Sequence, residues 1–117
     1  MRYALLAYSN LEARDQRTEE EQRRITAGIA EVLARPNVTG WLRLRDADSA
    51  TTVRHQRGTT LLTDGPFVDS KDFLGGFIVV AADNLDGALA VADELQELQR
   101  SGAIEVRPVL EEPLTGA

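Results

Sequence analysis

Cysteine is absent from the chain, which excludes disulfides, thiolate nucleophiles and cysteine-ligated metals. Histidine is scarce as well: His55 is the only one, so metal sites and proton relays built from several histidines are excluded. The sequence also lacks phosphate-binding glycine loops and the glycine-flanked serine of hydrolases. No metal and no cofactor are therefore predicted.

Long hydrophobic runs are missing too. No stretch of about 18 apolar residues occurs, so no transmembrane helix is predicted. Residues 1–8 contain one basic residue and a short apolar stretch, and no cleavage site of small residues follows. This segment is interpreted as a first strand rather than a signal peptide. Together these features predict a cytoplasmic protein.

An excess of positive charge is the third missing feature. Thirteen basic residues stand against nineteen acidic ones, giving a net charge of -6. Nucleic acids and anionic membranes require a concentrated positive surface, so neither is predicted as a partner. The remaining composition is typical of a folded globular protein, with 43% apolar and 27% charged residues. The length of 117 residues predicts one domain over residues 1–117.

Strands are predicted where apolar residues run together or alternate with polar ones. They cover residues 3–8, 38–45, 51–55, 59–63, 74–82 and 103–110. Segment 74–82 is the most apolar and is predicted at the centre of the sheet. Pro108 places the last strand at an edge or near its own end. Gln56-Arg57-Gly58 predicts a three-residue hairpin loop in which Gly58 has a positive φ.

Two amphipathic helices are predicted. The first begins with a capping box of Thr18 and Glu21 and ends before Pro36. Its apolar face consists of Ile25, Ile29, Val32 and Leu33. The second begins with Asp83 as N-cap and ends at Gly102. Its apolar face consists of Leu85, Ala88, Leu89, Ala92 and Leu95. Residues 9–17 show no periodicity and are predicted to form a loop.

This order of elements predicts an α+β fold, a ferredoxin-like βαββαβ sandwich with an extra β-hairpin. Each helix has one apolar stripe, so both helices are expected on the same face of the sheet. The other face, on which Trp41 is expected, is then uncovered. An apolar patch of that size is unusual on a monomer. Association of two sheets into a homodimer is therefore predicted.

The densest group of polar side chains lies between the hairpin and the central strand. It comprises Asp64, Asp69, Ser70, Lys71 and Asp72, followed by Gly75-Gly76. A carboxylate beside a lysine can bind or activate a small ligand, and the glycines allow close backbone approach. The alternative is structural: Asp64 shapes a turn, and its carboxylate accepts backbone hydrogen bonds near Phe67. His55 can likewise be a general base or an ordinary exposed strand residue.

The same region carries a family motif. Thr63-Asp64-Gly65-Pro66-Phe67 resembles the motif of the DGPF-domain proteins of the YCII-related family. The resemblance covers nearly the whole chain. It continues through residues 69–72, Leu74-Gly75-Gly76-Phe77, the opening residues 1–6, and segments 51–54, 83–89 and 105–109. It implies a ferredoxin-like fold that associates as a dimeric α+β barrel.

The resemblance also bears on activity. It implies that enzymatic relatives use a histidine–aspartate pair, with the histidine on the first helix, in proton-transfer or elimination chemistry on small, often aromatic compounds. The corresponding stretch here is Ile25-Thr26-Ala27-Gly28-Ile29, without a histidine, and His55 on a hairpin is not a positional substitute. Asp64 keeps the aspartate of the motif. The resemblance also implies that the gene accompanies that of an extracytoplasmic-function sigma factor, as is frequent for DGPF-domain proteins, and hence a regulatory or stress-linked role.

Three functional hypotheses follow. The favoured one is a protein that binds a small molecule in a pocket between the sheet and the helices, near the DGPF turn. The second is a cofactor-independent enzyme of the lyase type, with Asp64 as catalytic acid or base assisted by Lys71. The third is an accessory protein of an extracytoplasmic-function sigma factor. The predicted ligand-binding residues are Asp64, Phe67, Lys71, Gly75, Gly76 and Arg54.

Overall fold

A computed structural model of the chain describes residues 1–113. The strands are β1 (Arg2–Asn10), β2 (Val38–Arg43), β3 (Thr51–Gln56), β4 (Thr59–Asp64), β5 (Asp72–Ala81) and β6 (Ala103–Pro108). The helices are α1 (Leu11–Asp15), α2 (Glu19–Leu33) and α3 (Leu85–Gln99), with a short 3₁₀ turn at Ala47–Ser49.

Four of the strands form one antiparallel sheet in the order β2-β5-β1-β6. Helix α2 connects β1 to β2, and α3 connects β5 to β6. This is the ferredoxin-like arrangement predicted from the sequence. Strands β3 and β4 form the extra hairpin as a separate two-stranded sheet, inserted between β2 and β5. The central position of β5 and the edge position of β6 are also confirmed.

Local hydrogen bonds explain where the helices begin. The Thr18 hydroxyl accepts a bond from the Glu21 backbone N–H at 3.1 Å, as the capping box predicts. Helix α3 is capped by Asn84, whose side chain accepts from Gly87 N–H at 3.1 Å, so the expectation of Asp83 as N-cap was wrong by one residue. Asn10 caps the one-turn helix α1 inside the segment predicted as loop. Five residues are too few to show helical periodicity.

The hairpin turn is tighter than predicted. Gln56 belongs to β3, so two residues rather than three connect the strands. Arg57 and Gly58 have φ values of 50° and 78°. Two successive positive φ values define a turn whose twist matches that of the flanking strands, and a glycine at the second position favours it. The positive φ of Gly58 is confirmed.

One core lies between the two long helices and one face of the sheet. It consists of Tyr3, Leu5, Val32, Ile78, Val80, Ala88, Val91, Ala92 and Leu95. Both helices therefore cover the same face, as expected. The apolar face of α3 was predicted partly wrongly, because Leu85 and Leu89 are 47% and 43% exposed. Helix α3 instead turns Val91 and its small neighbours Ala88 and Ala92 toward the strands, which allows close packing.

The position of Trp41 is a further correction. It pairs with Ile78, whose side chain belongs to the core, so Trp41 is on the helix-covered face. The cause is a β-bulge between Val38 and Gly40. One extra residue reverses the alternation of side chains along the rest of the strand. Simple alternation from Val38 therefore predicts the opposite face.

Candidate functional site

A cavity of about 450 Å³ lies between α2 and the end of the sheet where β2 meets β5. Its position is explained by two adjacent rows of residues that pair across the four strands and face the helices. The first row, Trp41, Ile78, Leu5 and Val106, has large side chains throughout. The second row consists of Arg43, Gly76, Ala7 and Ile104. Because its two central residues are a glycine and an alanine, the sheet leaves space beneath the helix at this row.

The floor of the cavity requires glycine for a separate reason. A Cβ atom on Gly76 would lie 2.6 Å from the Leu42 carbonyl oxygen, which is closer than real Cβ contacts allow. Gly75 lies at a second irregularity, where the pairing of β1 with β5 shifts after Ala7. A Cβ there would lie 3.3 Å from the Ser9 hydroxyl. Close backbone approach thus requires glycine at position 76, and the missing side chains of both glycines leave the floor open.

The walls of the cavity are apolar. Helix α2 contributes Ile25, Ile29 and Leu33, and the sheet contributes Trp41 and Ile78. Ile25 and Ile29 belong to the stretch in which the family resemblance implies an active-site histidine. This part of the cavity wall is therefore apolar. The resemblance implies a histidine in the same stretch of the enzymatic relatives.

Charged groups are concentrated at the rim, where Arg14, Arg17 and Arg43 accompany a single carboxylate, Asp46. Arg14 donates to Asp46 at 2.7 Å and lies over the Phe73 ring at 5.3 Å from its centroid. The hydrogen bond to Asp46 raises the pKa of Arg14 above its ordinary value. This pair ties α1 to the segment after β2.

The other two arginines differ in their contacts. Arg17 donates to the Gln99 carbonyl at 2.8 Å and to the Ser101 hydroxyl at 3.2 Å, so it is bound to the end of α3. Arg43 has no carboxylate within 4.0 Å among residues 1–113. Arg17 has no carboxylate partner either, but Arg43 is the one rim arginine whose side chain makes neither an ion pair nor a hydrogen bond within the described part of the chain.

The six predicted ligand-binding residues fall into separate places. Gly75 and Gly76 line the cavity, as expected of a pocket floor. The other four do not line it. The Arg54 guanidinium lies 5.7 Å from the Phe67 ring centroid, and Phe67 is 72% exposed. The Lys71 amine lies 3.8 Å from Glu12. A role in binding stays a prediction for all six.

Asp64 ends β4 and is exposed. The expectation that its carboxylate holds the turn by accepting backbone hydrogen bonds was wrong. The bonds of this turn run instead from Gly65 N–H to the Ala50 carbonyl at 2.7 Å and from the Thr52 hydroxyl to the Gly65 carbonyl at 2.8 Å. Gly65 has a φ of 101°, a conformation that favours glycine. The turn therefore depends on Gly65 more than on Asp64.

A second concavity, of about 510 Å³, adjoins the DGPF segment. Pro66 and Val68 line it, and Leu44, Asp46 and Phe73 are shared with the first cavity. The DGPF segment thus adjoins the first cavity through these shared residues. Arg43 and Trp41 line the first cavity but were not among the ligand-binding residues predicted from the sequence. The signal that would have found them is the glycine pair, once its strand partner β2 is known.

Within residues 1–113, no three histidine, aspartate or glutamate side chains come close enough together to hold a metal ion. None of the helices in that range has both the length and the hydrophobicity required to span a bilayer. His55 is exposed on β3, where it pairs with Thr60.

Comparison with known proteins places the chain among its relatives. An uncharacterized protein of Rhizobium meliloti (strain 1021) is 34% identical in an alignment 114 residues long, which covers 93% of this chain and 92% of that protein. Among solved structures, 5-chloro-2-hydroxyhydroquinone dehydrochlorinase from Burkholderia phenoliruptrix AC1100 aligns at 17% identity and a TM-score of 0.46, over 96% of each chain. A divalent cation tolerance protein from Thermus thermophilus aligns at 13% identity and a TM-score of 0.41, over 97% of this chain and 88% of its own.

The family assignment rests on the sequence. The model of the YCII-related domain matches residues 1–113, from the first strand to beyond the last. The matched range contains both cavities, the Gly75-Gly76 floor and the DGPF turn. The chain belongs to the YCII-related family.

Proposed function

We propose that this protein binds a small organic molecule in the cavity between α2 and the sheet. The observation that carries the proposal is the cavity itself, about 450 Å³ with apolar walls and with its charges at the rim. Ligand sites of proteins typically have volumes of about 300–1,000 Å³, apolar linings and a few placed polar groups. The cavity has each of these properties.

The energetics of packing support a bound ligand. Protein interiors are close-packed, and side chains that face an empty space lose the dispersion contacts that they would otherwise make. Ile25, Ile29 and Leu33 are only half-buried because the sheet opposite them is formed by Gly76 and Ala7. An apolar molecule in the cavity would cover these side chains and restore the lost contacts.

Binding is favoured over lyase chemistry by the groups at the cavity. Its titratable groups within residues 1–113 are three arginines and Asp46, and Asp46 is held by Arg14 at 2.7 Å. This carboxylate is occupied by the Arg14 guanidinium, so it is not free to exchange a proton with a ligand in the cavity. Asp64, the acid or base of the enzyme hypothesis, lies outside the cavity. The geometry therefore supports a binding protein.

The biological setting stays at the level of prediction. We propose that the protein acts in the cytoplasm as a homodimer, and that a link to an extracytoplasmic-function sigma factor would operate through the occupied or empty state of the cavity. Such a link requires the ligand to change a surface that the sigma factor contacts.

The proposal is tested by filling the cavity. Ala7 lies on its floor, and Ala7→Leu places three more carbon atoms there. Ala27→Leu is the matched control, because Ala27 is exposed on α2 and does not line the cavity. Compounds that raise the melting temperature of the wild type should have no effect on Ala7→Leu and should still act on Ala27→Leu. Equal stabilisation of all three proteins would show that the ligand binds elsewhere.

A further inference from the structure

The ligand class can be deduced from the rim of the cavity, on the assumption that the proposed binding function is correct. We infer that the ligand is an aromatic carboxylate, whose anionic group is bound by Arg43 and whose ring lies against Trp41 and the apolar wall of α2.

The local charge at the cavity is opposite to that of the whole protein. The chain has a net charge of -6, with nineteen acidic and thirteen basic residues. At the rim the balance is three arginines against one aspartate. A cavity mouth with excess positive charge in an acidic protein attracts anions locally while the remaining surface repels them. Neutral and cationic ligands have no such advantage.

Two of the three rim arginines are already engaged. Arg14 forms its ion pair with Asp46 at 2.7 Å. Arg17 donates to the Gln99 carbonyl and the Ser101 hydroxyl, as described above, and also to Gln22 at 3.4 Å. Moving either group onto a ligand would break bonds that join separate elements. Arg43 has no carboxylate partner among residues 1–113, so its guanidinium can bind an anion without breaking an ion pair.

The strand pairing places Arg43 next to the open floor. Its cross-strand partner is Gly76, which has no side chain to cover the arginine from that direction. The pairing continues beyond it, because Leu44 N–H donates to the Gly75 carbonyl at 2.9 Å. The backbone that carries Arg43 is therefore held firmly at the edge of the cavity. A carboxylate matches guanidinium geometry, since two parallel hydrogen bonds can form.

Trp41 is the reason for inferring an aromatic ring in the ligand. This residue is on the helix-covered face, two positions before Arg43, yet it remains 53% exposed. Trp41 lines the cavity together with Ile25 and Ile29 of α2. A flat apolar ring fits between an indole and aliphatic side chains, and aromatic pairs gain energy beyond the area they bury. A carboxylate attached to that ring then lies within reach of the guanidinium.

Matched pairs of compounds test the charge. One- and two-ring aromatic carboxylates, such as benzoate and 2-naphthoate, are compared with benzyl alcohol and 2-naphthalenemethanol on ¹⁵N-labelled protein. The chemical shifts of Trp41 and of the cavity backbone amides report binding. Each carboxylate should bind the wild type at least about tenfold more tightly than its alcohol, which equals about 1.4 kcal/mol. Arg43→Gln should reduce that ratio to about one, and Arg43→Lys should restore part of it.

Arg45→Gln is the matched control, because Arg45 lies two residues further along and does not line this cavity. It should leave the carboxylate-to-alcohol ratio unchanged. If the alcohols bind as tightly as the carboxylates, or if Arg43→Gln keeps the ratio, the inference is overturned while the binding function stands. If no compound of either kind shifts the cavity amides, the proposed function fails together with the inference. Circular dichroism checks that each variant remains folded.

Discussion

Gly76 combines two roles that can be separated by mutation. Its missing side chain opens the cavity floor, and it also lets the backbone approach the Leu42 carbonyl. Gly76→Val should lower the free energy of unfolding by about 2 kcal/mol or more, because the new side chain collides with rigid backbone. Denaturation with urea measures the loss. An unchanged melting temperature would contradict this prediction.

Gly75 provides the comparison for Gly76. A Cβ at Gly75 would meet the Ser9 hydroxyl at 3.3 Å rather than a carbonyl held in the sheet. A side-chain hydroxyl can rotate away, so we expect Gly75→Ala to cost less than about 1 kcal/mol in the same urea experiment. A larger loss for Gly75→Ala than for Gly76→Val would show that the bulge, and not the approach to Leu42, governs this part of β5.

Asp64 is the residue on which sequence and structure differ most. Its carboxylate is exposed and the turn is held by other groups, so Asp64→Ala should change the free energy of unfolding by less than about 0.5 kcal/mol. Asp64→Asn should leave ligand binding in the cavity unchanged. Differential scanning calorimetry and the ligand titrations described above measure the two effects. Loss of binding in Asp64→Asn alone would restore the prediction that Asp64 is a ligand-binding or acid–base group.

At the scale of elements, an ion pair ties α3 to the end of α2. The Arg35 guanidinium forms two bonds with the Glu94 carboxylate, at 2.9 and 2.6 Å. The hydrogen bond from Arg35 lowers the pKa of Glu94 below its ordinary value of 4.5. Ionised Glu94 therefore stabilises the folded chain above the ordinary pKa, and the contribution is lost as the pH falls through the lowered one.

The pH dependence of this pair is testable. Glu94→Gln should lower the unfolding midpoint at about pH 7, and the difference from the wild type should shrink steadily below the ordinary carboxyl pKa. The effect should also decrease in high salt, since both side chains are exposed. Glu97→Gln, on the same helix outside the ion pair, is the control. A difference for Glu94→Gln that stays constant down to about pH 2 would exclude the ion pair as its cause.

The whole molecule is less compact than a single globular chain of its length, and its hairpin exposes apolar side chains. Its radius of gyration is 16.2 Å, whereas a compact chain of this length is expected at about 13 Å. The hairpin of β3 and β4 makes no hydrogen bonds to the main sheet, and Val53 and Leu62 on it are 61% and 70% exposed. Two-stranded hairpins are marginal in water without a covering surface. A second copy of the chain would provide one.

The uncovered face of the main sheet points to the same association. Its residues include Leu6, Leu42, Phe77 and Val79, which alternate with the core residues along their strands. We expect sedimentation equilibrium to give a particle of twice the chain mass of 12.8 kDa. Leu42→Glu should weaken the dimer at least tenfold, because it places a charge on this face. Leu85→Glu, at similar exposure on α3, should not. A 12.8 kDa particle at micromolar concentration would contradict the predicted dimer.

The identity and order of the elements could be predicted from the sequence by itself. Helix α2 begins at a capping box and strand β5 is a continuous apolar run, and both signals act between residues close in the chain. The same holds for Gly58, whose positive φ follows from its turn. Hydrogen bonding and sterics over a few residues determine these features. The close approach at Gly76 was also interpreted correctly, although the Leu42 carbonyl that it meets lies on another strand.

The tertiary structure decided which side chains meet. The bulge between Val38 and Gly40 turns Trp41 toward the helices, and the strand register brings Gly76 between Ala7 and Arg43. Neither feature follows from alternation, because each arises from the pairing of strands far apart in sequence. The cavity and the position of Arg43 at its edge result from that pairing. The role of Asp64 was overestimated because its neighbours in sequence are polar. In space, the turn and the cavity are formed by other residues.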